Sequence, residues 1–257
     1  MTTPTVLFAV VSYGGNVCRE FLTCWTGTLG EIGAAGIGCT MLMVPGDPYL
    51  SKARNRAAHT FLVHHPNATH LFFLDDDIGW DPKAAVRLIQ HDVDVVAGCY
   101  PKKSDQGEWP CVIKCVDDMP VERNGLWQAL LAPTGFMCIK RGVLEKMAAQ
   151  SGLYVDTTRP GATEAQWNIF DMGWFTPDGE RPPQQGGVQG QFWGEDYYFV
   201  RKCRDAGIDV WIDPDIHFTH RGSSVWAGNF RQASEQRLGD ARARADAAQM
   251  AERMAAQ

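Results

Sequence analysis

Several things are missing from this 257-residue chain, and each absence narrows what it can be. No Pro/Ser-rich linker interrupts it, so one compact domain is expected. There is no excess of positive charge. A formal net charge of -6 gives no global field toward nucleic acid, and only a local basic stretch such as PKKSDQGEW, near residues 101 to 109, offers such a contact. No basic segment precedes the first apolar run, which at about seven residues is far short of the roughly 20 that span a bilayer. That run is read as the first strand of a soluble protein. The 8 Cys show neither a C-x-x-C pair nor the tight spacing of a small secreted scaffold, so reduced thiols in a cytoplasm are expected. Cys111 and Cys115 lie in the apparent strand PCVIKCV, where four residues span about 13 Å. They are read as buried thiols, not as a metal clip.

What is present is ordinary globular material: 45% hydrophobic, 21% charged, with 9 Trp, far more aromatic surface than a disordered chain carries. Residues 5 to 12 form an apolar run. Val17, Phe21, Trp25, Leu29 and Ile32 then recur at helical spacing, with Asn16 placed to cap. A second run at 38–44 is followed by Leu50, Ala53, Ala57 and Phe61 on one helical face, then by THLFFLD ending at Asp75. A helix from near Pro82 and the strand VDVVAGC complete an alternation of β and α through the first hundred residues. Strands apolar at successive positions predict a parallel, Rossmann-like sheet covered on both faces.

Beyond residue 105 the rhythm changes. Short strands are expected at 110–116, 126–132 and 135–140 and a helix at 141–150, before a Gly/Pro-rich stretch from 157 to 191. The run RPPQQGGVQGQ, residues 181–191, is read as a mobile loop. From Arg231 the chain is rich in Ala, Arg, Glu and Gln, which predicts a terminal helix packing on the domain or on a partner copy in a homo-oligomer.

Three constellations carry chemistry. In FLDDDIGW, four apolar residues lead into Asp75, Asp76 and Asp77 at a strand's carboxyl end, the edge where open parallel sheets bind ligands. Carboxylates two apart in a turn can share one hard divalent ion, Mg2+ or Mn2+, bridging a diphosphate. Without a cation, three adjacent acids repel one another. In FWGEDYYFVRKCRDAG, Asp196 falls on the apolar side of a helix's first turn, where the helix N-terminus favours an ionised carboxylate able to accept a hydroxyl proton. In VWIDPDIHFTHRGSSVW a strand is followed by His217 and His220, either of which can complete a metal shell. Upstream, Ser12 and Tyr13 end the first strand, and Arg54 and Asn55 lie on the second helix, placed to bond a base or ribose.

Acid cluster, acidic helix start and histidine, in that order, resemble the GT-A glycosyltransferases over roughly residues 5 to 225. The DXD motif is matched by Asp75-Asp76-Asp77, the xED helix start by Gly194-Glu195-Asp196, and the metal-binding His by His220 in preference to His217. The resemblance implies a three-layer α/β/α sandwich with a mainly parallel central sheet. It implies a single catalytic domain over 1–230, with a nucleotide-sugar half to about 105, an acceptor half beyond it, and a helical tail at 231–257. It assigns Asp75, Asp77 and His220 to Mn2+ or Mg2+, with Asp75 also near the ribose and Asp76 orienting the donor. Ser12, Tyr13, Arg54 and Asn55 would surround the nucleoside of a nucleotide-sugar, UDP-sugar favoured, and Glu195 and Asp196 would be catalytic, with Asp196 the general base of an inverting transfer. The stretch ARNRAA to FLDDDI is also similar to the retaining Anp1-type mannosyltransferases. The lack of a transmembrane stem points to a bacterial or phage cytoplasmic enzyme acting on a saccharide, a protein or a hydroxymethylated DNA base. The competing classes are a sugar-phosphate nucleotidyltransferase, for which SYGGNVCRE lacks the phosphate-loop lysine, and a non-catalytic nucleotide-sugar-binding module.

Overall fold

The computed structural model describes residues 3–159, 161–175 and 191–240. The first half runs β1 (Thr5–Ser12), α1 (Arg19–Ala34), β2 (Gly38–Pro45), α2 (Leu50–His64), β3 (His70–Asp75), β4 (Ile78–Trp80), α3 (Ala84–Gln90) and β5 (Val95–Gly98). Four two-residue strands follow, β6 (Val112–Ile113), β7 (Cys115–Val116), β8 (Met119–Pro120) and β9 (Glu122–Arg123). Then come β10 (Leu126–Leu131), β11 (Phe136–Lys140), α4 (Arg141–Gln150), β12 (Leu153–Val155), β13 (Ala165–Trp167) and β14 (Gly173–Phe175). The last elements are β15 (Gln191–Trp193), α5 (Glu195–Asp205), β16 (Val210–Asp213), β17 (His217–Arg221) and β18 (Val225–Asn229), with helical residues at 230–240. The loop expected at 181–191 lies outside the described residues except for its last position, as does the end of the tail helix beyond 240.

The main sheet has the order β2-β1-β3-β11-β5-β16-β10-β6, so strands from both halves of the chain share it. Its faces are covered by separate cores because successive β1 side chains alternate. Leu7, Ala9 and Val11 join Ala53, Phe61, Leu144 and Phe199 from α2, α4 and α5. Val6, Phe8 and Val10 join Phe21, Ile32, Leu88 and Ile89 from α1 and α3. Three layers result, as continuous apolar strands require. Burying a side chain of this size contributes about 1.5–3 kcal/mol.

The expectation of a mainly parallel sheet needs correction. β1–β2, β1–β3 and β5–β16 pair in parallel, but β11 is inserted antiparallel between β3 and β5, and β10 pairs antiparallel with β16, β9 and β6. An apolar run reports that both faces are covered and does not encode strand direction. Other expectations shift locally. α1 is capped by Cys18, whose sulfur accepts from the Phe21 N–H, while Asn16 instead donates its N–H to Ser12 Oγ. Cys99 and Cys111 are paired as a disulfide, and Cys115 is exposed, so neither thiol behaves as the buried, reduced pair expected. No described helix is long and apolar enough to cross a membrane.

Two features of this topology position the site. β2 lies on one side of β1 and β3 on the other, so the chain reverses its winding direction between them. The crevice outside the carboxyl ends of β1 and β3 is therefore the switch point where such sheets bind ligands. A separate three-stranded sheet, β18-β17-β4, begins at Ile78, directly after the acid triplet, and brings His220 beside it.

Candidate active site

The crevice is built from Asp75 outward. Asp75 ends β3, and both of its carboxylate oxygens are occupied. Arg54 Nη2 donates to Oδ1 at 3.0 Å and Tyr100 Oη donates to Oδ2 at 2.7 Å. Arg54 is buried on α2 and also reaches α5, its Nε donating to Glu195 Oε1 at 3.2 Å. One guanidinium thus ties the acid cluster to the helix start, across 141 residues of sequence. Burial alone would depress the Arg54 pKa, but the charges of Asp75 and Glu195 outweigh it and hold the cation. Burial and the Asp75 charge push the Tyr100 phenol well up, so it remains an O–H donor. Gly135 explains how these groups fit: a Cβ there would collide with Asp75 Oδ2 and Tyr100 Oη.

Asp77 sits two residues on, in a different environment. The register of β4 against β17 pairs Ile78 with His220, and the Arg221 N–H donates to the Asp77 carbonyl at 2.7 Å. His220 Nε2 consequently lies 3.3 Å from Asp77 Oδ1, while Lys103 Nζ donates to Oδ2. On its other side His220 Nδ1 is 2.7 Å from the Pro101 carbonyl, which can only accept, so that nitrogen carries the proton. In the neutral ring Nε2 then presents a lone pair toward the carboxylate, an arrangement that a shared cation satisfies. Burial tends to raise the Asp77 pKa, yet the hydrogen bonds and charges of Lys103 and of the His220 ring in its doubly protonated form prevail and hold it below the usual range.

Asp76, between them, is pushed up by burial and by its two acidic neighbours, with Ser12 opposing, and its carbonyl accepts from the Cys18 N–H. Ser12 is buried at the end of β1, and Tyr13 follows it with its ring exposed. Asp196 opens α5, Oδ1 accepting from the Tyr197 N–H at 2.7 Å. Burial, then the adjacent Glu195 charge, push its pKa up to about 6. Desolvation thus opposes the helix N-terminus, which was expected to hold this carboxylate ionised.

Three expected roles meet a different geometry. Among the described residues, Asp75, Asp77 and His220 do not bring donor atoms within 4.8 Å of one another, and both Asp75 oxygens are held by Arg54 and Tyr100. Glu195 is paired with Arg54, whose Nε lies 3.2 Å from its Oε1. Asn55 does not present its amide as a nucleoside contact: Nδ2 donates to Asn168 Oδ1 at 3.0 Å and Oδ1 accepts from the Phe170 N–H at 2.7 Å. His217 points elsewhere. Three residues from His220 on a strand, it lies on the opposite face and lines a cavity of about 490 Å³ with Glu20, Cys24 and Trp80.

Tyr100, Pro101, Lys103 and Gly135 were not singled out for these roles. The basic stretch at 101–109 was visible, but its lysines are internal partners, Lys103 to Asp77 and Lys102 to Glu108 at 3.6 Å. Beside Pro101 a cavity of about 600 Å³ is lined by Trp109 and Trp226 together with Gln106, Asn229, Gln232 and Gln236.

Among the described residues, an oxygen-preferring divalent ion fits Asp77 and His220. Mg2+ and Mn2+ commonly take one or two protein ligands and complete their shells with phosphate oxygens and water. Arg54 Nη1 is buried without a hydrogen-bond partner among the described residues, and an orphaned donor of that kind costs about 1–3 kcal/mol until something accepts from it. In comparison with known proteins, no family model matches the chain and no curated protein matches it.

Proposed function

We propose that the chain is a metal-dependent GT-A glycosyltransferase, transferring a hexose from a nucleotide-sugar, UDP-sugar favoured, to an acceptor hydroxyl. The observation that carries this reading is the meeting of Asp77 and His220, 143 positions apart, at a sheet's switch point, with Asp196 linked to the same crevice through Glu195 and Arg54.

Asp77 and His220 would hold Mn2+ or Mg2+. A bound cation supplies stabilisation of the charge on the departing nucleoside diphosphate. The free Nη1 of Arg54 donates to a donor oxygen, and Asp75 acts through Arg54 and Tyr100, which fix its orientation. Ser12 and Tyr13 flank the nucleoside at the end of β1. Asp196 accepts the proton of the acceptor hydroxyl, and a pKa of about 6 leaves it mostly ionised at neutral pH yet basic enough to be useful. A saccharide acceptor is favoured over DNA: the net charge is -6, Lys103 is occupied, and the 600 Å³ cavity combines indoles with amide side chains, which suits sugar faces and hydroxyls.

The test is incubation of the purified protein with UDP-glucose, UDP-galactose or GDP-mannose, Mn2+ and simple saccharides. Expected are release of nucleoside diphosphate and a rate that rises as pH passes upward through about 6, where Asp196 loses its proton. Asp77→Ala should abolish Mn2+-dependent donor binding, and Asp196→Asn should keep donor binding but lose transfer. Pyrophosphate release from a nucleoside triphosphate plus sugar phosphate would indicate a nucleotidyltransferase instead. Tight donor binding without turnover would indicate a binding module.

A further inference from the structure

Away from the crevice, the far end of α2 carries a second cluster of ligating groups. His59 is buried, and its Nε2 lies 3.0 Å from Glu164 Oε1. Neither ring nitrogen makes a hydrogen bond to any described residue, so this close contact lies off the line a shared proton needs. His64, the last residue of α2, brings its ring edge-on to His59 at a centroid distance of 6.2 Å. One donor atom from each of His59, His64 and Glu164 lies within 4.8 Å of the other two. Trp167 packs near the His59 ring, with centroids 5.4 Å apart.

A buried imidazole with no hydrogen bond at Nδ1 and only an off-line carboxylate contact at Nε2 is costly, about 1–3 kcal/mol for a polar group left without a partner. A cation held between the imidazoles and the carboxylate removes that cost. Two nitrogens and one oxygen are the donors of a borderline ion such as Zn2+, which imidazole suits, whereas Mg2+ and Ca2+ prefer oxygen shells. Exposure of His64 and Glu164 leaves room for a water to complete four-coordination. Placement gives the site a purpose. Asn55, one helical turn before His59, already fastens α2 to Asn168 and Phe170, and Glu164 precedes the same segment.

We propose that His59, His64 and Glu164 form a Zn2+-type site that clamps the segment around β13 onto α2, separate from the acid crevice. The site is structural: it adds a fixed point at the outer end of the seam that Asn55 closes at its inner end.

The experiment uses tag-free, chelator-stripped protein carrying Asp77→Ala and His220→Ala, so that the crevice cannot contribute ligands. Equilibrium dialysis against micromolar Zn2+ should give one bound equivalent by elemental analysis, and Zn2+ should raise the melting temperature. Adding His64→Ala or Glu164→Gln, both at exposed positions, should weaken Zn2+ binding by more than about tenfold and remove the thermal shift. The proposal is overturned if the crevice-free protein takes up no Zn2+, or if neither added substitution changes its affinity. Because the crevice ligands are absent throughout, either result stands apart from the question of glycosyl transfer.

Discussion

Asp75 and Asp77 are two residues apart on one turn, yet they belong to different kinds of structure. Asp75 is gripped by buried groups, Arg54 from α2 and Tyr100 from just past β5, on the edge of the main sheet. Asp77 meets the half-exposed Lys103 and the His220 ring on the edge of the small sheet. The buried side has its hydrogen bonds in place without a ligand, and among the described residues the Arg54 Nη1 donor is left without a partner there. The exposed side is held by an ion pair that a competing cation can displace. One turn of chain therefore joins a rigid half to an exchangeable half, a division suited to a site that must hold its frame while charged ligands come and go.

The contrast can be broken experimentally. The largest effect is expected from Arg54→Ala, which leaves Asp75 and Glu195 without their shared counter-charge. Loss of one partner from a buried pair costs about 3–5 kcal/mol, readable as a lower urea midpoint. A loss under about 1 kcal/mol would mean that the buried half is not the rigid one. Gly135→Ala comes next. Its new methyl would press on Asp75 and Tyr100, costing about 1–3 kcal/mol, and donor affinity measured by calorimetry should fall with it. The smallest stability effect is expected from Lys103→Ala, under about 1 kcal/mol, because the pair is partly solvated. Mn2+ affinity in that variant should hold or rise, since a competitor for Asp77 has gone, and a marked fall would make Lys103 part of the binding apparatus.

Much of this arrangement was legible in the sequence, and what escaped it has physical causes. The apolar runs of β1, β3 and β5 and the helical spacing of α2 and α5 announced their elements, since burial on both faces or on one stripe leaves a direct trace in residue order. The convergence of Asp77 with His220 was readable from motif order. The antiparallel β11 was not, because FMCIK is apolar whichever way it runs. Asn55 looked like a ligand contact because a buried amide and a binding amide are the same residue type; only the positions of Asn168 and Phe170 distinguish them. Tyr100 and Gly135 carry no motif at all. Their roles arise where β5 and β11 deliver them, which is a property of strand order and not of local sequence.

The Cys99–Cys111 bond has a consequence for the site that no single contact reveals. It encloses residues 99 to 111 in a covalent ring, and Tyr100, Pro101 and Lys103 all hang from that ring. The clamp on Asp75, the tether that sets the proton on His220 and the cation that faces Asp77 are thus inherited from one lasso of backbone. Both aspartates and the histidine therefore share partners carried on one covalently closed stretch of thirteen residues.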